Sequence, residues 1–521
     1  MEQFLLELKQ GFKSGFPEDG DVSNLNKYPR SIVRSVTEFV ELLKLMTKNV
    51  NKGWTAPVLK CPDHIISLFL VPKKNSQDKF RMVRDASYSK SGYVSLNSCI
   101  PDDQAHMEVE NVQGFARLFA RARKGWFGGK DLKAAFRQIH IFPPQIPQYG
   151  FCMLSQYLVD GRHPFGTRSA PKICQKIARW VVKIYKAFYI KQIATIQDNT
   201  VAYLDDYTVV AKTKKECKLL LDLLGKCFVD LGLMESSSKA FGPVQKDKVF
   251  GLIWDVSKGT VSCPQEKIDK IKNLINLVIE YRWITIDVAL TLAGWLMHVS
   301  QLMTPGKACV KSLICRIYKV SKNLDKRKWV FITDKIANHL KFWSTFVSEC
   351  VEVPITHVYE RPSIQIEIST DASDFGYGIC WEGRYIAEIL PDWMLTKNIA
   401  LKEAFAVLCA IHTFGKSFSG KKVLMYVDNM AVVHTVSNKW SKNEWLMAFV
   451  YEICALSVEY RFFFWVDWIA SLDNVAADAL SRFDVARFIE VVPTNRRKCT
   501  PVIKKGLRYL SDFELSRFLN T

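Results

Sequence analysis

The chain has 521 residues, and 72 Lys+Arg against 52 Asp+Glu leave a formal charge of +20. At roughly 150 residues per domain, that length predicts three or four compact units, and 48% hydrophobic with 24% charged residues excludes an all-disordered chain. No run approaches the ~18 uninterrupted apolar residues of a spanning helix, and the opening Met1-Glu-Gln-Phe-Leu-Leu-Glu lacks the basic-then-apolar order of a secretory signal, so no membrane partner is expected. The 14 cysteines include no Cys-x-x-Cys pair, which argues against a zinc ribbon, a thioredoxin-like site or a stapled scaffold. They predict reduced thiols in an intracellular protein, cytoplasmic or nuclear. The charge favours polyanionic partners without naming one.

No fixed-period repeat is present, which excludes a solenoid. Residues 1–50 read as a helical extension, with Leu5, Leu6, Phe12 and then Phe39, Leu42, Leu43 and Met46 on apolar faces, broken by a Gly/Pro/Asp-rich stretch around Phe16 to Ser23. Residues 51–255 read as mixed α/β, and 256–360 as a helical connector carried by Ile268, Ile271, Leu274, Ile275 and Val278. After Pro354 and Pro362, Ile364, Ile366 and Ile368 alternate with polar residues at strand period, opening a second α/β domain over 361–485. A tail with basic clusters, 486–521, follows.

Thr200-Val-Ala-Tyr-Leu-Asp205-Asp206-Tyr-Thr-Val-Val-Ala211 places adjacent acids between two β-prone runs, the pattern of a hairpin with carboxylates at its tip. A lone Asp-Asp turn is more often solvated than functional, but neighbouring carboxylates resist joint ionisation unless something positive compensates. Upstream, Asp131 follows Gly128-Gly129-Lys130 and precedes Leu132, Ala135, Phe136 and Ile139, a helical stripe. A third acid at such a strand-to-helix junction completes an oxygen-rich site suited to Mg²⁺. Between them, His163-Pro-Phe165-Gly166-Thr-Arg-Ser-Ala-Pro171 reads as a rigid turn feeding a helix from Lys172 to Tyr189.

With these residues in order, the sequence resembles the reverse transcriptases of retroelements. Tyr203-Leu204-Asp205-Asp206 matches the family's Tyr-x-Asp-Asp box, Asp131-Leu-Lys-Ala-Ala-Phe136 its first aspartate motif, and Pro164-Phe165-Gly166 to Ala170-Pro171 its nucleotide-pocket segment. Val71-Pro-Lys73-Lys74, Phe80-Arg81-Met-Val-Arg84-Asp85, Leu96-Asn97 and Phe250-Gly251-Leu252-Ile253 extend the match. The resemblance implies fingers and palm over 51–255 and a thumb over 256–360, with Asp131, Asp205 and Asp206 holding two Mg²⁺, Mn²⁺ being the alternative. It implies that Lys73 or Lys74, with Arg81, grips the incoming deoxynucleoside triphosphate. It places Phe165 and Tyr203 at the nucleotide and Phe136 against the sugar 2′ carbon, where a ring excludes a 2′-hydroxyl; an ordinary core aromatic is the other reading of Phe136.

The later domain carries a second set of acids. Asp371 ends the alternating strand, Glu403 lies on a helix from Asn398 to Phe414 with Gly415 as its stop, Asp428 closes the apolar run Val423-Leu-Met-Tyr-Val427, and Asp478 sits one turn after Asn474 on the last helix. Each acid taken singly is more often solvated. The order Asp, Glu, Asp, Asp in a strand–strand–strand–helix–strand–helix pattern resembles the ribonuclease H fold, which implies two further Mg²⁺ held by Asp371, Glu403, Asp428 and Asp478. Many relatives add a His before the last aspartate; none lies between Val466 and Asp478, so either a residue such as Asp473 or Asn474 takes part there or product release lacks that aid.

The fold class expected is thus α+β and multidomain, a fingers-palm-thumb polymerase followed by a ribonuclease H-like domain. The expected activity is RNA- and DNA-directed DNA synthesis with cleavage of RNA in hybrids, on an RNA template, a DNA primer and the RNA–DNA hybrid, alongside other products of the same element. Within LTR-type and DIRS-like retrotransposons, Leu292-Ala-Gly294-Trp-Leu-Met-His298 with Pro305-Gly306-Lys307 is closer to the DIRS-like pattern. The rival reading is a degenerate or domesticated protein of such an element that binds nucleic acid without catalysis. Gly376-Tyr-Gly378 reads as a bulge or hairpin, and the connector lysines and arginines, from Lys267 to Lys328, read equally as solvated helix faces or as a duplex-tracking surface.

Overall fold

The structure, a computed structural model, describes residues 2–14, 25–28, 35–72, 80–108, 110–302, 304–322, 325–347, 352–359, 363–492 and 498–499. It divides into two compact units, Met1–Asp247 with Asp255–Gly259, and Lys248–Trp254 with Thr260–Thr521. Both mix helices and sheets, the α+β class expected from the sequence.

The first unit begins with α1 (Glu2–Gln10) and α2 (Val36–Asn51). Ser35 caps α2 by accepting from the Glu38 N–H, and Leu42 and Met46 are buried on its inner face. Between these helices the described chain is extended, with Phe12 bridging Ile141 and Leu25 bridging Val94, so the expected helical extension is only partly helical; the stretch around Phe16 to Ser23 lies outside the described residues. Strands β1 (Thr55–Val58), β2 (Ser67–Pro72) and β3 (Phe80–Asp85) precede α3 (Val112–Arg121) and β4 (Trp126–Asp131). Then come β5 (Gly150–Met153), β6 (Gln156–Asp160), α4 (Ala170–Ile184), β7 (Thr200–Tyr203), β8 (Asp206–Ala211), α5 (Lys214–Asp230) and β9 (Phe241–Val244). They form a β1-β6-β5 sheet, a β2-β3 pair and a central sheet in the order β7-β8-β4-β9.

Helices α4 and α5 cover one face of the central sheet, burying Ile177, Val181, Leu221, Leu224 and Phe228 against Tyr207 and Val209. The Gly128-Gly129 pair permits that approach: a Cβ on Gly128 would lie 2.6 Å from Leu221 Cδ1 and 2.7 Å from the Phe241 carbonyl. Two expectations need correction. The stripe after Asp131 is not an α-helix but one 3₁₀ turn, Ala135–Gln138, entered through Ala134 at φ +52°. Its periodic apolar residues reach the core all the same, while Leu132 and Lys133 still donate to the Asp205 and Met234 carbonyls as in a sheet. The helix expected over Lys172 to Tyr189 begins at Ala170 and widens into a π turn over Tyr185–Ile190.

In the second unit α6 (Gln265–Tyr281), α7 (Ile286–Val299), α8 (Lys307–Val320) and α9 (Asp334–Phe346) make the helical stretch. A short β-pair, β10 (Trp283–Thr285) with β11 (Trp329–Phe331), interrupts it. Ile268, Ile271, Ile275 and Val278 are buried as their spacing predicts. Next come β12 (Ile366–Ala372), β13 (Gly376–Trp381), β14 (Arg384–Ile389), α10 (Ile399–Phe414), β15 (Lys422–Val427), α11 (Met430–Asn438), α12 (Glu444–Glu459), β16 (Phe463–Trp468), α13 (Val475–Ser481), α14 (Val485–Val491) and β17 (Lys498–Cys499). The sheet runs β16-β15-β12-β13-β14-β17. Strands β12, β13 and β14 are antiparallel neighbours, and β15 and β16 add in parallel, giving the strand–strand–strand–helix–strand–helix order of a ribonuclease H-like domain. No helix among the described residues is long and apolar enough to cross a membrane.

One helix reading changes here, and three glycines take on a packing role. Gly376 and Gly378 open the second strand of the β12–β13 hairpin, as expected, and they also seat α13, since a Cβ on Gly378 would lie 2.3 Å from the Ala477 carbonyl and one on Gly376 2.6 Å from that of Ser481. Gly415 is the C-cap of α10, which ends at Phe414 as expected; it is right-handed at φ −54° and leads into a 3₁₀ turn. Its missing Cβ also makes room for Tyr460, whose Cδ2 a Cβ would approach to 2.4 Å. The helix of Asp478 is not the last, because α14 follows and packs Phe488 and Val492 with Ala479 and Leu480.

Candidate metal centres and nucleotide pocket

Asp131 is the last residue of β4 and pairs in register with Asp206, the first residue of β8. Leu204 and Asp205 form the two-residue turn between β7 and β8, with Leu204 left-handed at φ +55°. One carboxylate oxygen from each of Asp131, Asp205 and Asp206 lies within 4.8 Å of the others, with Asp131 buried, Asp205 half-buried and Asp206 on the exposed side. The hairpin tip is held from α4: the buried Gln175 side chain accepts from the Leu204 N–H at 2.7 Å and donates to the Ala202 carbonyl at 3.0 Å.

Burial, together with Asp205 and Asp131 alongside, pushes the Asp206 carboxyl up to about 7. Burial and Asp131 raise Asp205 as well. Lys239 donates to Asp131 Oδ2 at 2.6 Å, whereas Asp131 Oδ1 is buried with no donor. Against its own desolvation, Lys239 is held above its ordinary value by Asp131, Asp205 and Asp206. Three hard oxygen ligands with one lysine leave an excess of negative charge, which a divalent cation fits.

The residues expected at the nucleotide gather beside this cluster. Phe136, on the 3₁₀ turn, has its ring 4.9 Å from that of Phe165, and the Arg81 guanidinium lies 5.0 Å over the same Phe165 ring. Tyr203 ends β7, half-buried. Lys73 and Lys74 lie outside the described residues.

In the second unit, the parallel register that pairs Ser369 with Tyr426 brings Asp371 and Asp428 to the same edge of the sheet. Asp371 accepts from Ser481 Oγ at 2.5 Å, and burial with Asp428 and Asp478 nearby raises it to about 6. Glu403 accepts from Asn429 Nδ2 at 3.2 Å; burial and then Asp428 push it up to about 9. Glu403 Oε2 and Asp428 Oδ1 are both buried without a donor, so a proton on Glu403 is the natural bridge between them. Asp428 Oδ2 accepts from Ser471 Oγ at 2.8 Å.

Asp478 differs from the other three. Its Oδ1 accepts from Arg482 Nε at 2.7 Å, and Arg487 of α14 pairs with its other oxygen. Among the described residues only Asp131, Asp205 and Asp206 bring three such ligand oxygens within 4.8 Å, so the second set of acids does not close equally tightly. Asn474, one candidate for the place of the missing His, anchors α13 instead by donating to the Thr370 carbonyl at 3.0 Å. Asp473 is exposed.

Sequence reasoning missed Gln175, Lys239, Asn429, Ser471 and Arg487. Gln175, Lys239 and Ser471 reach their acid or turn from a distant segment, and Arg487 from the next helix, and none leaves a local pattern; Asn429 had one, a cap residue placed directly after Asp428.

No protein-family model matches the chain. Its sequence is 23% identical over 436 residues to the retrovirus-related Pol polyprotein from transposon 297 of Drosophila melanogaster, covering 80% of this chain and 36% of that one. It is 27% identical over 197 residues to the genome polyprotein of Petunia vein clearing virus, 37% of this chain and 8% of that one. With the enzymatic polyprotein of Cestrum yellow leaf curling virus it shares 23% over 395 residues, 73% and 52% of the two chains. Among solved structures, the foamy viral protease-reverse transcriptase with double-stranded DNA aligns with 89% of this chain and 77% of its own, at a TM-score of 0.49 and 15% identity. The chain thus spans about half or less of the curated relatives named here, and those relatives are polyproteins of viruses and of a retrovirus-related transposon.

Proposed function

We propose that this chain is an RNA- and DNA-directed DNA polymerase fused to a ribonuclease H, encoded by an LTR-type or DIRS-like retroelement, with fingers and palm over 51–255, thumb over 256–360 and nuclease over 361–485. The observation that carries the reading is the convergence of Asp131, Asp205 and Asp206 at one hairpin, with Arg81, Phe136 and Phe165 beside them. The Pol polyproteins among its relatives support it.

In this reading the three acids hold two Mg²⁺, or Mn²⁺. The ions, when bound, activate a primer 3′-hydroxyl and neutralise the departing pyrophosphate. The chain's own residues do the placing. Arg81, with Lys73 or Lys74, meets the triphosphate, Phe165 and Tyr203 line the nucleotide, and Phe136 stands where a 2′-hydroxyl would project. Asp371, Glu403, Asp428 and Asp478 hold the ions of the nuclease, which removes RNA from the hybrid that synthesis leaves. The excess of 20 positive charges serves the template, primer and hybrid inside the cell, and binding that weakens steeply with salt is its signature.

Mg²⁺-dependent primer extension on an RNA template tests the polymerase. Purified, folded protein that incorporates no deoxynucleotide overturns it. One observation favours a second reading for the nuclease alone: both oxygens of Asp478 are held by arginines, so the later domain binds hybrid without cutting it. Release of labelled RNA from a hybrid decides between the two.

A further inference from the structure

We infer that Asp160 is a positioning residue for nucleotide selection: a single buried carboxylate ties together the three segments that carry Arg81, Phe136 and Phe165. The inference rests on the polymerase reading and deepens it.

Asp160 ends β6 and is wholly buried. Its Oδ2 accepts from Arg84 Nε at 2.8 Å; its Oδ1 accepts from Arg84 Nη2 at 3.1 Å, Arg137 Nη1 at 2.8 Å and Thr55 Oγ1 at 2.8 Å. Four donors, three of them crowded on Oδ1, hold an ionised carboxylate from three sides, and the Arg84 fork is bidentate, which fixes angle as well as distance. Each arginine belongs to a segment of the pocket. Arg84 lies three residues beyond Arg81 on β3, and its backbone N–H donates to the Phe165 carbonyl at 2.9 Å. The Phe165-Gly166 segment is pressed so closely on β3 that a Cβ on Gly166 would sit 1.8 Å from the Arg84 carbonyl oxygen. Arg137 is the residue after Phe136 in the 3₁₀ turn.

That turn has only four residues and follows a left-handed alanine. So short a turn does not hold its own geometry in water. The Arg137–Asp160 contact is what sets the height of the Phe136 ring against Phe165. The clamp is also unbalanced: two guanidiniums share one carboxylate, and Arg84 Nη1 is buried with no acceptor. The surplus positive charge lies on the two segments that carry Arg81 and Phe136, which suits the binding of a triphosphate.

The test uses the full chain, with Arg137→Gln and Arg137→Lys, both of which leave the Arg84–Asp160 pair intact, and Asp160→Asn as the severe case. We expect Arg137→Gln to raise KM for deoxynucleotides and to lower the deoxy-over-ribo ratio of kcat/KM, each by about 10–100-fold, the scale of an ångström of misplacement, with Arg137→Lys in between. Hybrid cleavage in the same preparation reports on the other unit, and titration of active sites corrects for unfolded protein. A clamp that serves folding alone lowers the count of active molecules and leaves KM and the ratio where they were, which overturns the inference. Wild-type protein that extends no primer overturns the polymerase reading, and the inference with it.

Discussion

The first acid cluster hangs on neighbouring strands of one sheet and is met by one lysine; the second draws on two strands and two helices, and the protein supplies a hydrogen-bond or ion-pair partner to each member. The sheet fixes carboxylates by backbone register, so Asp131 and Asp206 face each other whatever their charge. The cost is desolvation and crowded like charge, which together raise the Asp206 carboxyl to about 7. At the second cluster position depends on how helices α10 and α13 are seated, and the charge is answered by Asn429, Ser481, Ser471, Arg482 and Arg487. A site held by register is robust to packing changes. A site held by helix seating is not.

The largest expected effect separates the two clusters outright. Asp206→Asn should lower primer extension by about 10³-fold or more, the scale of losing an electrostatic stabiliser at the reacting centre, while hybrid cleavage persists; Asp428→Asn should do the reverse. Joint loss in either variant would mean one site, not two. Next comes the seat: Gly378→Ala forces a methyl to 2.3 Å from the Ala477 carbonyl, and strain of about 1–3 kcal/mol should shift α13 and depress cleavage with extension intact. Unchanged cleavage there breaks the contrast drawn above. Gln175→Ala, which frees the hairpin tip, should cost about 10–100-fold in extension, like other residues that orient ligands.

The smallest effect is on stability. Asp206 and Glu403, the acids raised furthest, are more comfortable protonated in the fold, so their contribution is whole below the ordinary carboxyl values of 3.8 and 4.5 and is lost as pH climbs to about 7 for Asp206 and about 9 for Glu403. Without divalent metal, Tm should therefore fall from pH 6 to pH 9, and added Mg²⁺ should raise it more at pH 9 than at pH 6. Glu403→Gln should flatten the upper part of that slope. A slope indifferent to this change would show that the proton resides elsewhere.

The acids were legible because their signals are local. Asp205-Asp206 between two β-prone runs, and Asp371 and Asp428 at the ends of alternating or apolar runs, announce strand ends without reference to anything distant. The turn after Asp131 was misread because Leu132, Ala135 and Ile139 carry helical spacing that 3₁₀ geometry also satisfies, and the backbone there is claimed by the sheet. The hairpin of Gly376 and Gly378 was legible, but their second role was not, because α13, which they seat, lies about a hundred residues onward. Lys239 and Arg487 are single charges in a basic chain, indistinguishable from their neighbours until folding selects them.

The glycine seat has a use beyond this molecule. Any residue larger than hydrogen at positions 376 or 378 would unseat the last acid while every acid remained in place, so a census of carboxylates alone would score a dead copy as living. In comparing chains of this kind, the expected mark of a second cluster that has lost its geometry is a side chain at either glycine, whatever the acids themselves have become.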